Sequence, residues 1–379
     1  MDATESEAAG THPSTVTNEA LLNMPNVHRL ILGYIATRSP EYCQLRDLRQ
    51  QGWENPAGDD FFKHQRQQAD NPTQTRARKF YKMTIDIGRT LDNRTNAFDV
   101  LQTSKEPLAL DMGMAPGGFS TTILGKYPEA RVRAITLPDT DGGHAIQLRH
   151  KNLKLELRDI NTLAGDLGLN TIPETRHEAR SLTTEKLFAR EAYDVAICGG
   201  QITRNQQREQ WREQRESRRL QLAQLVIAME HLKNTGTLIA VLHKPESLDT
   251  AEILHIFSSF SDIMLFKPDK AHARRSSFYM VAKNVQPHSL AAVEAVETWK
   301  EEWRVATLGS DDEYAISTHR TVEETQRMLE QYGEELVALG RPIWAIQARA
   351  LKEAPFIRST GLGRRYVSRV PERGEVDAL

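Results

Sequence analysis

Polar residues with Gly10, Pro13 and scattered Ser and Thr fill Met1 to about Thr17 and predict a disordered lead. Asn18 then suits a helix cap, and Leu21, Leu22, Val27, Leu30, Ile31 and Ile35 follow at helical spacing. Trp53, Pro56, Gly58 and Pro72 interrupt the stretch from Gln51 to Thr75, so at least part of it reads as loop. Phe80, Met83, Ile87 and Leu91 share one face of a second predicted helix, about Arg76 to Leu91. From about Pro107 short apolar runs take over: Leu108–Met112, Val132–Leu137, Leu153–Leu157, Tyr193–Cys198, Thr237–Leu242, Ile263–Phe266 and Ser277–Ala282. The first five are spaced by helix-length segments or long loops, the pattern of a parallel sheet wound with helices. A short connection makes the last two an antiparallel pair. Helical spacing returns over Leu290–Trp303 and Thr321–Leu339, and a charged tail ends the chain.

Composition narrows the class. The 379 residues carry 49 Lys+Arg against 51 Asp+Glu, which excludes a strongly basic whole-protein surface but not a local basic groove. No apolar run reaches the length of a membrane span, and no signal-peptide core opens the chain, so an intracellular protein, cytoplasmic or nuclear, without membrane attachment is expected. Cys43 and Cys198 are too few for a disulfide framework or a four-cysteine zinc site, and the histidines show no metal-ligand spacing.

The chemistry-bearing segment is Leu110-Asp111-Met112-Gly113-Met114-Ala115-Pro116-Gly117-Gly118-Phe119-Ser120. A strand ends in an acid, passes a glycine-rich turn and opens a helix. Glycine lets main chain approach a ligand closely, and the helix start favours a carboxylate or phosphate. A dinucleotide fingerprint requires a middle glycine where Ala115 stands. The carboxylate of Asp111 also repels pyrophosphate while suiting an ammonium or sulfonium. S-adenosylmethionine carries both, and an ordinary strand-to-helix turn is the plainer alternative.

Asp-x-Gly-x-Ala-Pro-Gly-Gly-Phe-Ser resembles the first motif of the FtsJ-like (RrmJ-like) methyltransferases, S-adenosylmethionine-dependent enzymes that methylate ribose 2′-hydroxyls of RNA. Arg76 to Ile85 is similar to that family's N-terminal Ser-Arg-(x)-Tyr-Lys-Leu helix, and Lys267-Pro268-Asp269, Ala273-Arg274 and Tyr279 to Ala282 to its last hairpin. The resemblance implies an α/β, Rossmann-like fold: a mostly parallel seven-stranded sheet with an antiparallel edge strand, over about 76–284. Helical extensions at 18–75 and 285–358 and a tail at 359–379 flank it. Cofactor contacts are expected from Asp111, Gly113, Ala115, Pro116, Gly117, Gly118 and Phe119, with Cys198 and Gly199 after the fourth strand. Asp159 matches the acid that meets the adenine amino group. Thr136 fills the family's acidic position toward the ribose, leaving Asp139 and Asp141 as substitutes.

The family's Lys-Asp-Lys-Glu catalytic set survives only at Lys82. Gly199, Val241 and Ser277 stand where the aspartate, second lysine and glutamate belong. His243 and Lys244, just beyond Val241, offer a rearranged set with Lys82. Three outcomes follow: methylation of a hydroxyl by that set, methylation of a small-molecule acceptor, or binding of S-adenosylmethionine, or of nothing, by a non-catalytic partner or sensor. Arg274 and Arg275, expected nearer the cleft, are the stronger candidates for phosphate contacts should the partner be an RNA. Arg204, Arg208, Arg212, Arg215, Arg218 and Arg219, interleaved with Glu, read as an exposed helix face laced with ion pairs. The five tryptophans read as packing residues, and Gly142-Gly143-His144 as a turn. The oligomeric state stays open.

Overall fold

The computed structural model describes residues 26–70, 73–173 and 181–358. The expected disordered lead, the Asn18 cap and the charged tail lie outside these residues. Among the described residues four long helices precede the sheet, α1 (Asn26–Ala36), α2 (Pro40–Trp53), α3 (Pro56–Asp70) and α4 (Gln74–Thr95), followed by a single helical turn at Val100–Thr103. The stretch read as part loop is thus mostly helix. Pro40 and Pro56 open α2 and α3, where a missing N–H breaks no helical bond. The Ser39 hydroxyl accepts the Tyr42 N–H at 3.1 Å and completes the α2 cap.

The seven strands fall where the apolar runs predict them. They are β1 (Leu108–Met112), β2 (Arg131–Thr136), β3 (Leu153–Leu157), β4 (Tyr193–Cys198), β5 (Leu232–His243), β6 (Asp262–Phe266) and β7 (Ser277–Val285). Their order is β3-β2-β1-β4-β5-β7-β6. β1 to β5 run parallel, while β7 runs antiparallel to both β5 and β6, so β6 completes that edge. Helix α5 (Gly118–Lys126) follows β1. The later helices are α6 (Glu216–His231), α7 (Leu248–Ser258), α8 (Leu290–Leu308), α9 (Asp311–Thr318) and α10 (Val322–Lys352).

Strand alternation sorts the core into two layers. Leu110, Met112, Ala196, Cys198, Leu238 and Ala240 face α6, α7 and α8, with α10, α1 and α2 packed beyond. Ala109, Val195, Ile197, Ile239 and Val281 face α4 and α5. The last helix runs through Pro342, past the expected end at Leu339. Buried Ile343, Trp344, Ala348 and Leu351 hold the extra turns against the hydrogen bond that proline removes. Trp299, Trp303 and Trp344 are buried packing residues, as expected, whereas Trp53 is exposed.

The arginine-rich stretch differs from its sequence reading. Arg215, Glu216 and Arg219 are buried, because α6 lies between the sheet and the C-terminal helices. Arg219 donates to Glu216 at 2.8 Å and to the Thr307 hydroxyl at 3.1 Å. Arg215 donates to the Gly309 carbonyl at 2.9 Å and pairs with Asp311, and Arg218 reaches Glu302 at 2.6 Å. These charges are paired at the interface that docks α8 and α9 on the core, as buried charges must be.

Candidate functional site

The bend after β1 is tightly built. Gly113 has φ +74° and Gly117 φ +110°, conformations that favour glycine. A side chain at Gly113 would overlap the Gly200 main chain, one at Gly117 would crowd Leu148, and one at Gly118 would overlap Thr84 of α4. The glycines therefore serve the protein's own close packing. The Gly113 and Met114 N–H groups donate to the Ile135 carbonyl at 2.8 and 3.3 Å. The Ala115 N–H donates to Thr136 Oγ1 at 3.3 Å. Among the described residues none accepts from the N–H groups of Gly117, Gly118 and Phe119, the cap and first residues of α5. An acceptor-rich anion, such as the carboxylate of an amino-acid moiety, fits that end.

Asp111 does not present the open charge that the sequence argument asked of it. Residue 111 has the parity of Ala109 and so points toward α5, where its side chain is buried. Ser120 Oγ donates to Asp111 Oδ2 at 2.5 Å. Burial pushes this carboxyl up to about 6, against the stabilising donation from Ser120. Asp111 shapes the bend from within.

Of the residues expected toward the cofactor's nucleoside, Thr136 is buried and committed to Ala115, so it holds the bend. Asp139 and Asp141 sit exposed in a short turn. Gly142 and Gly143 shape that loop, and His144 packs its ring on Phe80 at 5.3 Å. Asp159 caps the turn after β3: its Oδ1 accepts the Asn161 N–H at 2.9 Å and its Oδ2 accepts from Gln206 Nε2 at 3.0 Å. Burial raises this carboxyl above its ordinary value, with the Glu216 charge adding. Cys198 is buried with its thiol on the Gln224 carbonyl at 3.5 Å, and the Gly199 N–H donates to the Met112 carbonyl at 2.9 Å. Ala115 and Pro116 lie in the bend between Gly113 and Gly117, and Phe119 packs on Tyr279 at 5.6 Å.

The positions where the resemblance expects the catalytic set gather on one side of the sheet. By strand parity Gly199, Val241 and Ser277 share the α4/α5 face with Val195, Ile239 and Val281. His243 belongs to that face and pairs in register with Ser277, the position where the resemblance expects a glutamate. Its Nε2 meets Gln201 Oε1 at 2.9 Å and its Nδ1 meets Ser276 Oγ at 3.3 Å. Desolvation at the crowded strand end lowers its pKa to about 4, with Lys244, Lys267 and Arg275 adding to the shift. Lys82 lies exposed on α4, next to Tyr81, whose hydroxyl bonds Thr121 at 2.6 Å. No hydrogen bond or ion pair among the described residues joins Lys82 to His243 or Lys244. Lys244 belongs to a different neighbourhood, where burial and then Arg49 push its ammonium below the ordinary lysine range.

That neighbourhood is a polar node which the sequence does not announce. Buried Glu246 accepts from Arg49 at 2.6 Å and from Trp344 Nε1 at 2.8 Å, joining the extensions on both sides to the loop after β5. Arg49 also donates to Gln347 Oε1 at 2.9 Å. Lys267 is buried and donates to the Arg275 and Ser277 carbonyls at 2.7 and 2.8 Å, fixing the hairpin that carries Ser276. Burial, followed by the Arg49 charge, pushes it down to about 7. Of the two phosphate candidates, Arg274 turns inward: its Nε meets the Ala350 carbonyl at 3.3 Å and its guanidinium lies 5.7 Å from the Phe61 ring. Arg275 is exposed, in the field of Arg204.

The sequence model of the FtsJ-like methyltransferases matches residues 76–285, more than half of the chain, and the chain belongs to that family. Among solved structures it is similar to an rRNA methylase from Streptococcus thermophilus, at 14% identity over 50% of this chain and 92% of that one, with a TM-score of 0.30. It is also similar to human methyltransferase-like protein 13 in complex with S-adenosyl-homocysteine (SAH), at 14% identity over 63% and 97% of the two chains, with a TM-score of 0.34. The N-methyltransferase NodS from Bradyrhizobium japonicum WM9, in complex with SAH, shows 14% identity over 51% and 86%, with a TM-score of 0.31. No curated protein matches the chain. Among the described residues, no helix is long and apolar enough to cross a membrane.

Proposed function

We propose that this chain is an S-adenosylmethionine-dependent methyltransferase that modifies a hydroxyl on the sheet face carrying His243. One observation carries the reading: in a bend of this family, the Gly117, Gly118 and Phe119 N–H groups have no acceptor among the described residues. They fit the carboxylate of the cofactor's methionine end. When bound, the cofactor supplies an activated methyl group. The chain's own residues do the rest. Asp111 and Ser120 fix the bend. Gln201 holds His243 so that Nε2–H donates to its Oε1, which leaves Nδ1 to accept a proton beside Ser276. So weak a base serves because placing the hydroxyl in line supplies much of the acceleration. We propose RNA ribose as the acceptor, with exposed Arg275 as a phosphate contact and Lys82 on the facing helix as a second cation.

The departures at Gly199, Val241 and Ser277 favour a second reading, a cofactor-binding protein without transfer activity. A small-molecule acceptor is the alternative within the first. Incubation with methyl-labelled S-adenosylmethionine and RNA decides between them. Label at alkali-resistant ribose positions, lost about 100-fold in His243→Ala, is expected. SAH binding without label in RNA or small molecules would establish the second reading.

A further inference from the structure

Seventeen residues separate β4 from α6, and they do not leave the site. The Gly200 main chain fills the space beside Gly113, at the end of β1, with its N–H on Gln224 Oε1 at 2.7 Å. Gln201 reaches His243 at the end of β5. The 205–206 main chain lies on Gly142 after β2, so closely that no side chain fits at that glycine, whose φ is +90°. Gln206 then donates to Asp159 after β3, and Arg212 lies 3.9 Å from the same carboxylate oxygen. The segment is pinned at the carboxyl ends of four strands, across the crevice where open α/β sheets take ligands.

The contact with Asp159 has a particular chemistry. A carboxamide NH2 and the amino group of an adenine ring are the same kind of donor, a planar nitrogen with two hydrogens. Asp159 Oδ1 is already used by the Asn161 main chain, which leaves Oδ2 to whichever amino group arrives.

We propose that residues 201–212 form a strap over the cofactor cleft, that Gln206 occupies the place where Asp159 reads an adenine amino group, and that the cofactor enters by displacing Gln206. The proposal rests on the S-adenosylmethionine reading above.

Calorimetric titration of the full chain with SAH, on wild type and Gln206→Ala, tests this. A residue that merely helps to hold the site weakens binding when removed; a competitor strengthens it. Removing one hydrogen bond to a carboxylate from the closed form is expected to tighten SAH binding about tenfold. Amide hydrogen exchange over 201–212 is expected to quicken in Gln206→Ala, and in wild type when SAH is added. Equal or weaker affinity in Gln206→Ala, with wild type binding normally, overturns the strap and leaves the cofactor reading intact. If neither protein binds SAH, the cofactor reading fails, and exchange alone decides the closure: faster exchange in the variant supports a closed strap, equal exchange overturns it.

Discussion

Ser120 Oγ donates to Asp111 Oδ2 at 2.5 Å, tying the end of β1 to the first turn of α5. The pair encloses a buried carboxyl whose pKa is raised from 3.8 to about 6, chiefly by burial. Between those two values the folded protein keeps a proton that the unfolded chain has released. Stability therefore falls as pH rises through that window, and the loss is complete above about 6. Asp111→Asn keeps an acceptor for Ser120 and removes the buried charge. Its stability relative to wild type is expected to be greater at pH 7 than at pH 4 by up to about 3 kcal/mol. Urea denaturation of both proteins at the two pH values measures this, and an equal difference at both would contradict it.

Gly118 and Thr84 give a steric prediction. An added methyl at 118 would overlap the Thr84 side chain and its main-chain carbon as well. Gly118→Ala should cost about 1–3 kcal/mol by pushing α4 off α5. Thr84→Ala should restore only part of the loss, because the main-chain clash stays. Complete rescue would show that α4 yields freely.

If His243 is the base, as proposed, it sets the pH dependence of transfer. With its pKa lowered to about 4, the ring is neutral throughout the physiological range. The rate should therefore be flat from about pH 6 upward on the histidine limb, with no inflection near the ordinary histidine value of about 6.5. Single-turnover rates measured from pH 5 to 9 check this. An inflection near 6.5 that disappears in His243→Ala would mean that acceptor binding rehydrates the ring or brings it a counter-charge.

The fold was legible because strands of a wound sheet are short apolar runs: Leu108–Met112, Leu153–Leu157 and Tyr193–Cys198 have the bounds that the pattern predicts. The first motif was legible because its glycines are demanded by main-chain packing, such as Gly113 on Gly200. Its chemistry was only half legible. Asp111 reads as a charge facing a ligand until strand alternation is carried one residue further, which turns it toward α5. Arg215 and Arg219 read as surface because composition does not reveal that a third layer, α8 and α9, covers their helix. Gln206 and Glu246 carried no signal at all. Each acquires its role from a partner far along the chain, Asp159 for one and Arg49 with Trp344 for the other.

That last node yields a prediction about how the extensions are held. Glu246 is buried, yet the Arg49 charge and hydrogen bond, with donation from its own main-chain N–H and from Trp344, hold its carboxyl below the ordinary glutamate range. Arg49→Met removes the direct partner and leaves a buried carboxylate held by neutral donors alone, Trp344 and its own main-chain N–H. The expected cost is about 3–5 kcal/mol, read by urea denaturation at pH 7. The double variant Arg49→Met, Glu246→Gln should recover much of that loss, since the amide oxygen still accepts from Trp344 and no charge is stranded. A single variant costing under about 1 kcal/mol would mean that Lys244 or Lys267 swings in to replace Arg49, or that Glu246 takes up a proton. Repeating the measurement at pH 5 separates these: a carboxyl that protonates loses its penalty as pH falls, whereas a lysine replacement leaves the small cost unchanged.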